Sequence, residues 1–128
     1  MYAYSLTIPA GYTASNLLEQ RCKLSAGILS RILITFPPGC LNLVHVVVLY
    51  QAHQIEPWNR DGDLHSDDYT FDLACQHEII EPDTEVTLRG WNDDTDYDHT
   101  VDFVFDVTRP PDVTAESLLQ QLNDALVS

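Results

Sequence analysis

Residues 28–36 read Ile-Leu-Ser-Arg-Ile-Leu-Ile-Thr-Phe and run directly into Pro37-Pro38-Gly39. A few residues later, positions 43–50 read Leu-Val-His-Val-Val-Val-Leu-Tyr. These two runs decide the fold class. β-Branched and aromatic side chains suit a pleated, half-buried surface. In the first run, Ile28, Ile32, Ile34 and Phe36 are predicted on one side, with Arg31 and Thr35 on the other. Proline cannot donate into a ladder and glycine permits a reversal, so the strand ends where the prolines begin. The second run is apolar almost throughout, which is the pattern of a strand covered on both faces.

Working outward, the same kind of segment recurs between turn signals. Tyr2–Ile8 precedes the turn Pro9-Ala10-Gly11, and Gln20–Leu24 is a shorter candidate. Tyr69–Cys75, Glu85–Trp91 and Thr100–Val107 follow, the last alternating Val101, Phe103, Phe105 and Val107 against Asp102, Val104 and Asp106. Short strands at this spacing predict an all-β fold, an antiparallel β-sandwich of seven or eight strands, jelly-roll or immunoglobulin-like. Residues 1–109 are assigned to that domain. Residues 110–128 are read as a Pro110-Pro111 linker and a short C-terminal helix. Thr114 can cap it, Val113 and Leu118 can staple its start, and Leu118, Leu119, Leu122 and Leu126 recur at helical spacing. A helix this short is marginal alone in water, so it must dock, either on its own domain or on a neighbouring subunit.

The 128 residues hold 6 Lys plus Arg against 20 Asp plus Glu, a net charge of −14. A binder that covers phosphates needs a cationic surface, so nucleic-acid binding of that kind is excluded. The charge is uneven. Residues 1–55 carry one acid (Glu19) and three bases (Arg21, Lys23, Arg31), whereas residues 56–106 carry 16 acids and two bases. Such a density of carboxylates is either a solvated, solubilising surface or the mark of a cation or a basic partner.

One pattern occurs twice. Trp58-Asn59-Arg60-Asp61-Gly62-Asp63 precedes His65, and Trp91-Asn92-Asp93-Asp94-Thr95-Asp96 precedes His99. If the strands before them run the same way, both loops fall at one end and form an acidic pole. Asp61, Asp63, Asp94 and Asp96 are then candidate Ca²⁺ ligands, although the spacing is not that of an EF-hand. The alternative is a pair of Asx turns, in which Asp and Asn side chains accept from backbone N–H groups. The Trp residues are expected to cap the core rather than to form a sugar-stacking platform. His45, inside the apolar run, is expected to be a core residue, and His53 and Gln54 to end the same segment.

No catalytic constellation is visible. The five histidines lack a zinc spacing. There is no G-x-S-x-G, phosphate-binding loop or G-x-G-x-x-G. The expectation is a protein that is not an enzyme and needs no cofactor beyond the possible Ca²⁺. Cys22, Cys40 and Cys75 sit in apolar or strand-like surroundings, as reduced thiols do in a cytoplasm. The N-terminus lacks the features of a signal peptide and no apolar run suits a membrane helix, so cytoplasmic synthesis without membrane association is expected.

Several short stretches carry a resemblance. They are Thr7-Ile8-Pro9-Ala10-Gly11, Phe36-Pro37-Pro38-Gly39, Leu43-Val44-His45-Val46, His53-Gln54-Ile55-Glu56-Pro57-Trp58-Asn59 and Tyr97-Asp98-His99-Thr100-Val101. Together the chain resembles the small β-sandwich structural proteins of tailed bacteriophages over roughly residues 5–107. The resemblance implies a virion component, and within that class a capsid cement or decoration protein on the outside of the head. Its partner would be the major capsid protein, with self-association into a trimer by analogy. In this reading Arg21, Lys23 and Arg31 face the capsid and the leucine stripe reaches a neighbour. A receptor- or carbohydrate-binding module, and a minor tail or neck protein, are the competing readings.

Overall fold

A computed structural model describes residues 1–59 and 61–108, together with Asn123. The predicted C-terminal helix, with Leu118, Leu119, Leu122 and Leu126, lies outside the described residues. The described chain contains nine strands: β1 Tyr2–Ile8, β2 Leu18–Lys23, β3 Gly27–Phe36, β4 Val44–Tyr50, β5 His53–Glu56, β6 Leu64–His65, β7 Tyr69–Ile79, β8 Glu85–Asn92 and β9 His99–Thr108. They form two antiparallel sheets. One has the order β1-β9-β3-β7; the other has the order β2-β8-β4-β5, with β6 also pairing β4.

The pairing is nested. β1 pairs with β9, β2 with β8, β3 with β7, and β4 with β5. The chain is thus one long hairpin, with its tip at the β4–β5 turn, folded so that its rungs are divided between the two sheets. Lateral pairing of β3 with β9 and of β4 with β8 joins the rungs. The inner faces of both sheets meet in a single core. Ile32, Ile34, Phe36, Phe103 and Phe105 come from one sheet; Val44, Val46, Val48, Val86 and Leu88 come from the other.

Two details depart from the sequence reading. A bulge between Leu29 and Arg31 shifts the register of β3 against both neighbours. It advances the alternation by one residue, so Leu29 is fully buried and Ile28 is not. The predicted inward set therefore holds from Ile32 to Phe36 and fails at Ile28. Secondly, β5 and β6 were not anticipated, and His53 opens β5 instead of ending β4. The tight turn before β5 has positive φ at both Gln51 (51°) and Ala52 (64°). Such turns usually carry Asn or Gly at these positions, so Gln-Ala leaves no visible signal.

Where the sheets come closest, β8 has Gly90. A Cβ there would lie 2.5 Å from Ile8 Cδ1 and 3.2 Å from Leu6 Cδ2, both on the opposite sheet. Gly90→Ala should therefore force the sheets apart locally and destabilise the fold by about 1–3 kcal/mol. Urea denaturation should show a lower midpoint at unchanged slope.

Candidate functional site

β5 and β8 both run antiparallel to β4, so they run parallel to each other. The loops that follow them consequently leave in the same direction, and the two Asp-rich repeats do meet. The joint is His45. It lies on the outer face of its sheet, opposite His65 of β6 on one side and Trp91 of β8 on the other. The His45 ring stacks on Trp91 with centroids 4.9 Å apart and planes 6° from parallel. Its Nδ1 lies 2.5 Å from Asp63 Oδ1, and its Nε2 lies 3.0 Å from Asp93 Oδ2. Both ring nitrogens of His45 therefore face a carboxylate, one from each loop. His65 Nδ1 adds a third contact, 2.9 Å from the same Asp63 oxygen.

His45 is thus a bridge between loops and not a core residue. The outward alternation of β4 was hidden because its other outward residues, Val47 and Leu49, are themselves apolar and buried. Asp93 and His65 were legible as members of the two repeats, but only the pairing of β4 with β6 and β8 brings them to His45.

Three further carboxylates at this pole hold backbone. Asp67 Oδ1 accepts from Gly39 N (2.9 Å) and Leu41 N (3.0 Å). Asp98 Oδ1 accepts from Ala10 N, and Asp94 Oδ1 from Asp96 N. Asn92 Oδ1 accepts from Asp94 N, while its amide donates to Ile8 O and Tyr97 O. The β5–β6 loop is gathered by Gln54, whose Nε2 lies 2.8, 3.0 and 3.1 Å from the carbonyls of Pro57, Asn59 and Gly62. Two amide hydrogens are shared among three acceptors there. The pole is an interlocked platform of Asx-type turns.

The four candidate Ca²⁺ ligands do not converge. Asp63 is engaged by His45 and His65, and Asp94 by its own loop and by His99 Nε2 at 2.8 Å. Among the described residues, the group here that brings three ligand atoms within 4.8 Å of one another is His45, Asp63 and His65. That set contains neither Asp61, Asp94 nor Asp96.

The predicted cationic docking patch is also divided. Arg21 and Lys23 are on β2, at the edge of one sheet, where they line an open groove with Glu19, Glu81, Asp83, Glu85 and Arg89. Arg31 is on β3 in the other sheet and forms a bidentate pair with Asp72, at 2.7 Å for each bond. The three cations come from two rungs of the long hairpin, Arg21 and Lys23 from β2 and Arg31 from β3, so proximity in sequence did not place Arg31 with the other two.

Large exposed side chains are found on the segments that build the pole. Trp58 is 79% exposed, Tyr97 70%, Leu41 66% and Tyr69 54%. Neither tryptophan caps the core: Trp91 stacks on His45 at the outer face of its sheet, and Trp58 lies beyond β5 on a loop turned to solvent. Among the described residues no helix is long and apolar enough to cross a membrane. No protein-family model matches the chain, and no curated protein matches it either.

The ion contacts give the pole a pH dependence. Burial acts to raise the Asp63 pKa, but the hydrogen bonds from His45 and His65 outweigh it and hold the carboxylate below its ordinary range. A carboxylate with a depressed folded-state pKa adds stability above its unfolded pKa and loses it as pH falls through the folded value. Asp63→Asn should therefore cost about 1 kcal/mol near neutrality, allowing for partial exposure. The difference from the parent should vanish in acid, below the folded pKa, when both are followed by urea denaturation across pH.

Proposed function

We propose that this chain is a structural protein of a tailed-bacteriophage virion, a capsid cement protein that adheres to the outside of the head and catalyses nothing. The observation that carries the reading is the loop pole. It combines a dense set of carboxylates with exposed Trp58, Tyr97, Leu41 and Tyr69 on a platform cross-linked by its own hydrogen bonds. Aromatic anchors within a charged rim are the means by which a small surface gains affinity, and a preformed platform loses little entropy on docking. The acidic field calls for a basic surface on the major capsid protein. This reading favours a docking face at the pole over one on Arg21, Lys23 and Arg31, which are divided between the two sheets.

The nested strand pairing supports a jelly-roll assignment over an immunoglobulin-like one, since a jelly roll is a long hairpin wrapped into two facing sheets. That architecture is common to viral capsid and lectin domains. Many weak contacts of this kind, repeated over a shell, resist its expansion far better than any one of them. In this reading the C-terminal leucine stripe serves as an arm between copies, and a trimer on a local three-fold axis is the assembly proposed.

The test is occupancy. Purified protein added to cognate heads that lack it should bind in a copy number that scales with the capsid subunits. The paired change Trp58→Ala with Tyr97→Ala should reduce occupancy at least about tenfold, as loss of central aromatic anchors does. Stoichiometry set by one vertex would assign the protein to the neck or tail, and absence of binding would reject the virion role. Exposed Trp58 beside polar loop groups favours a second reading, a carbohydrate-binding module. Glycan-array binding that the Trp58→Ala change abolishes would select that reading instead.

A further inference from the structure

On β7 every second side chain turns inward. Phe71, Leu73 and Cys75 pack against the core and Ile79 is buried within it. His77 occupies the inward position between Cys75 and Ile79. Opposite lies Glu56, the last residue of β5 and only 6% exposed. β5 and β7 are matching edges of the two sheets. A carboxylate, a thiol and an imidazole are thus directed into the gap between two open edges, where apolar side chains would be expected.

The ligand atoms of Glu56, Cys75 and His77 lie within 4.8 Å of one another. His77 Nε2 is buried and has no hydrogen-bond partner. A buried polar atom without a partner is rare and calls for an explanation such as an ion. The surroundings are also adverse to charge. Burial raises the Glu56 pKa. Burial, followed by the proximity of Glu56, pushes the Cys75 thiol up to about 11. Burial likewise lowers the pKa of His77.

We propose that Glu56, Cys75 and His77 bind one divalent transition-metal ion of the zinc class, which staples the β5 and β7 edges together. The donor set selects the ion. Carboxylate oxygen, thiolate sulfur and imidazole nitrogen are the donors zinc takes, whereas Ca²⁺ and Mg²⁺ take oxygen. As the metal–sulfur bond forms, the Cys75 proton leaves to solvent. One carboxylate and one thiolate then neutralise the ion's two charges, and the imidazole binds as a neutral ring. Tetrahedral ligands at zinc distances lie roughly 3.3–3.7 Å apart, a contraction that side-chain rotation supplies. A water molecule completes the shell.

Metal-depleted full-length protein titrated with Co²⁺ tests this. One equivalent should produce a thiolate-to-cobalt charge-transfer band and tetrahedral visible absorption, both lost when Zn²⁺ is added. Zn²⁺ should raise Tm, and Ca²⁺ or Mg²⁺ should not. Cys75→Ser should remove the charge-transfer band, and His77→Asn or Glu56→Gln should weaken binding at least about tenfold. His77→Phe should raise the Tm of the metal-free protein and abolish the further rise with Zn²⁺. Asp63→Asn with His65→Asn should leave the band intact, which separates this site from the trio at the pole. A parent protein without the band, a band that survives Cys75→Ser, or a band with unchanged affinity in both His77→Asn and Glu56→Gln would overturn the proposal.

Discussion

The two inner sheet faces have to cover each other. Ile32, Ile34 and Phe36 at the centre of one sheet and Val44, Val46 and Val48 at the centre of the other share a core from which water is excluded. Neither face is tolerable alone, because each would expose a continuous apolar surface. Once the two central strands are apposed, nested antiparallel pairing carries the rest of the chain to fixed places around them. β9 and β8 fill the positions beside β3 and β4, and β1 and β2 complete one side. The close approach at Gly90 follows from the same apposition.

Interacting polar and ionisable side chains gather where that constraint is weakest, at the loops and at the open edges. At the pole, backbone groups that leave the ladder find partners in Asp67, Asp94, Asp98 and Asn92. Carboxylates used this way stiffen the surface and leave aromatic side chains free to project. At the β5 and β7 edges no further strand covers the gap among the described residues. There Glu56 and His77 take inward positions beside Cys75, among apolar neighbours that pack against the core.

Much of this architecture was legible in the residues. The strands around Ile32, Val46, Phe103 and Phe105 announce themselves by alternation or by unbroken apolar runs, and Pro37-Pro38-Gly39 marks a true strand end. The convergence of the two Trp-Asn repeats was anticipated, although it comes about through β5, a strand that the residues did not announce. The Gln51-Ala52 turn was not, because its positive φ values are imposed by the hairpin and not invited by Asn or Gly. The bulge beyond Leu29 was equally silent: it changes which of two neighbouring apolar residues is inward without changing either one.

Composition and periodicity by themselves determined that the protein is acidic and all-β, with its carboxylates concentrated after residue 55. Those properties follow from local preferences and from charge counting, which need no knowledge of partners in space. Only the tertiary structure decided which ionisable groups act together. His45 joins Asp63 to Asp93, and Glu56 meets Cys75 and His77, across separations that no local signal spans. Pairing register and sheet apposition set those meetings, and both are properties of the whole chain folded against itself.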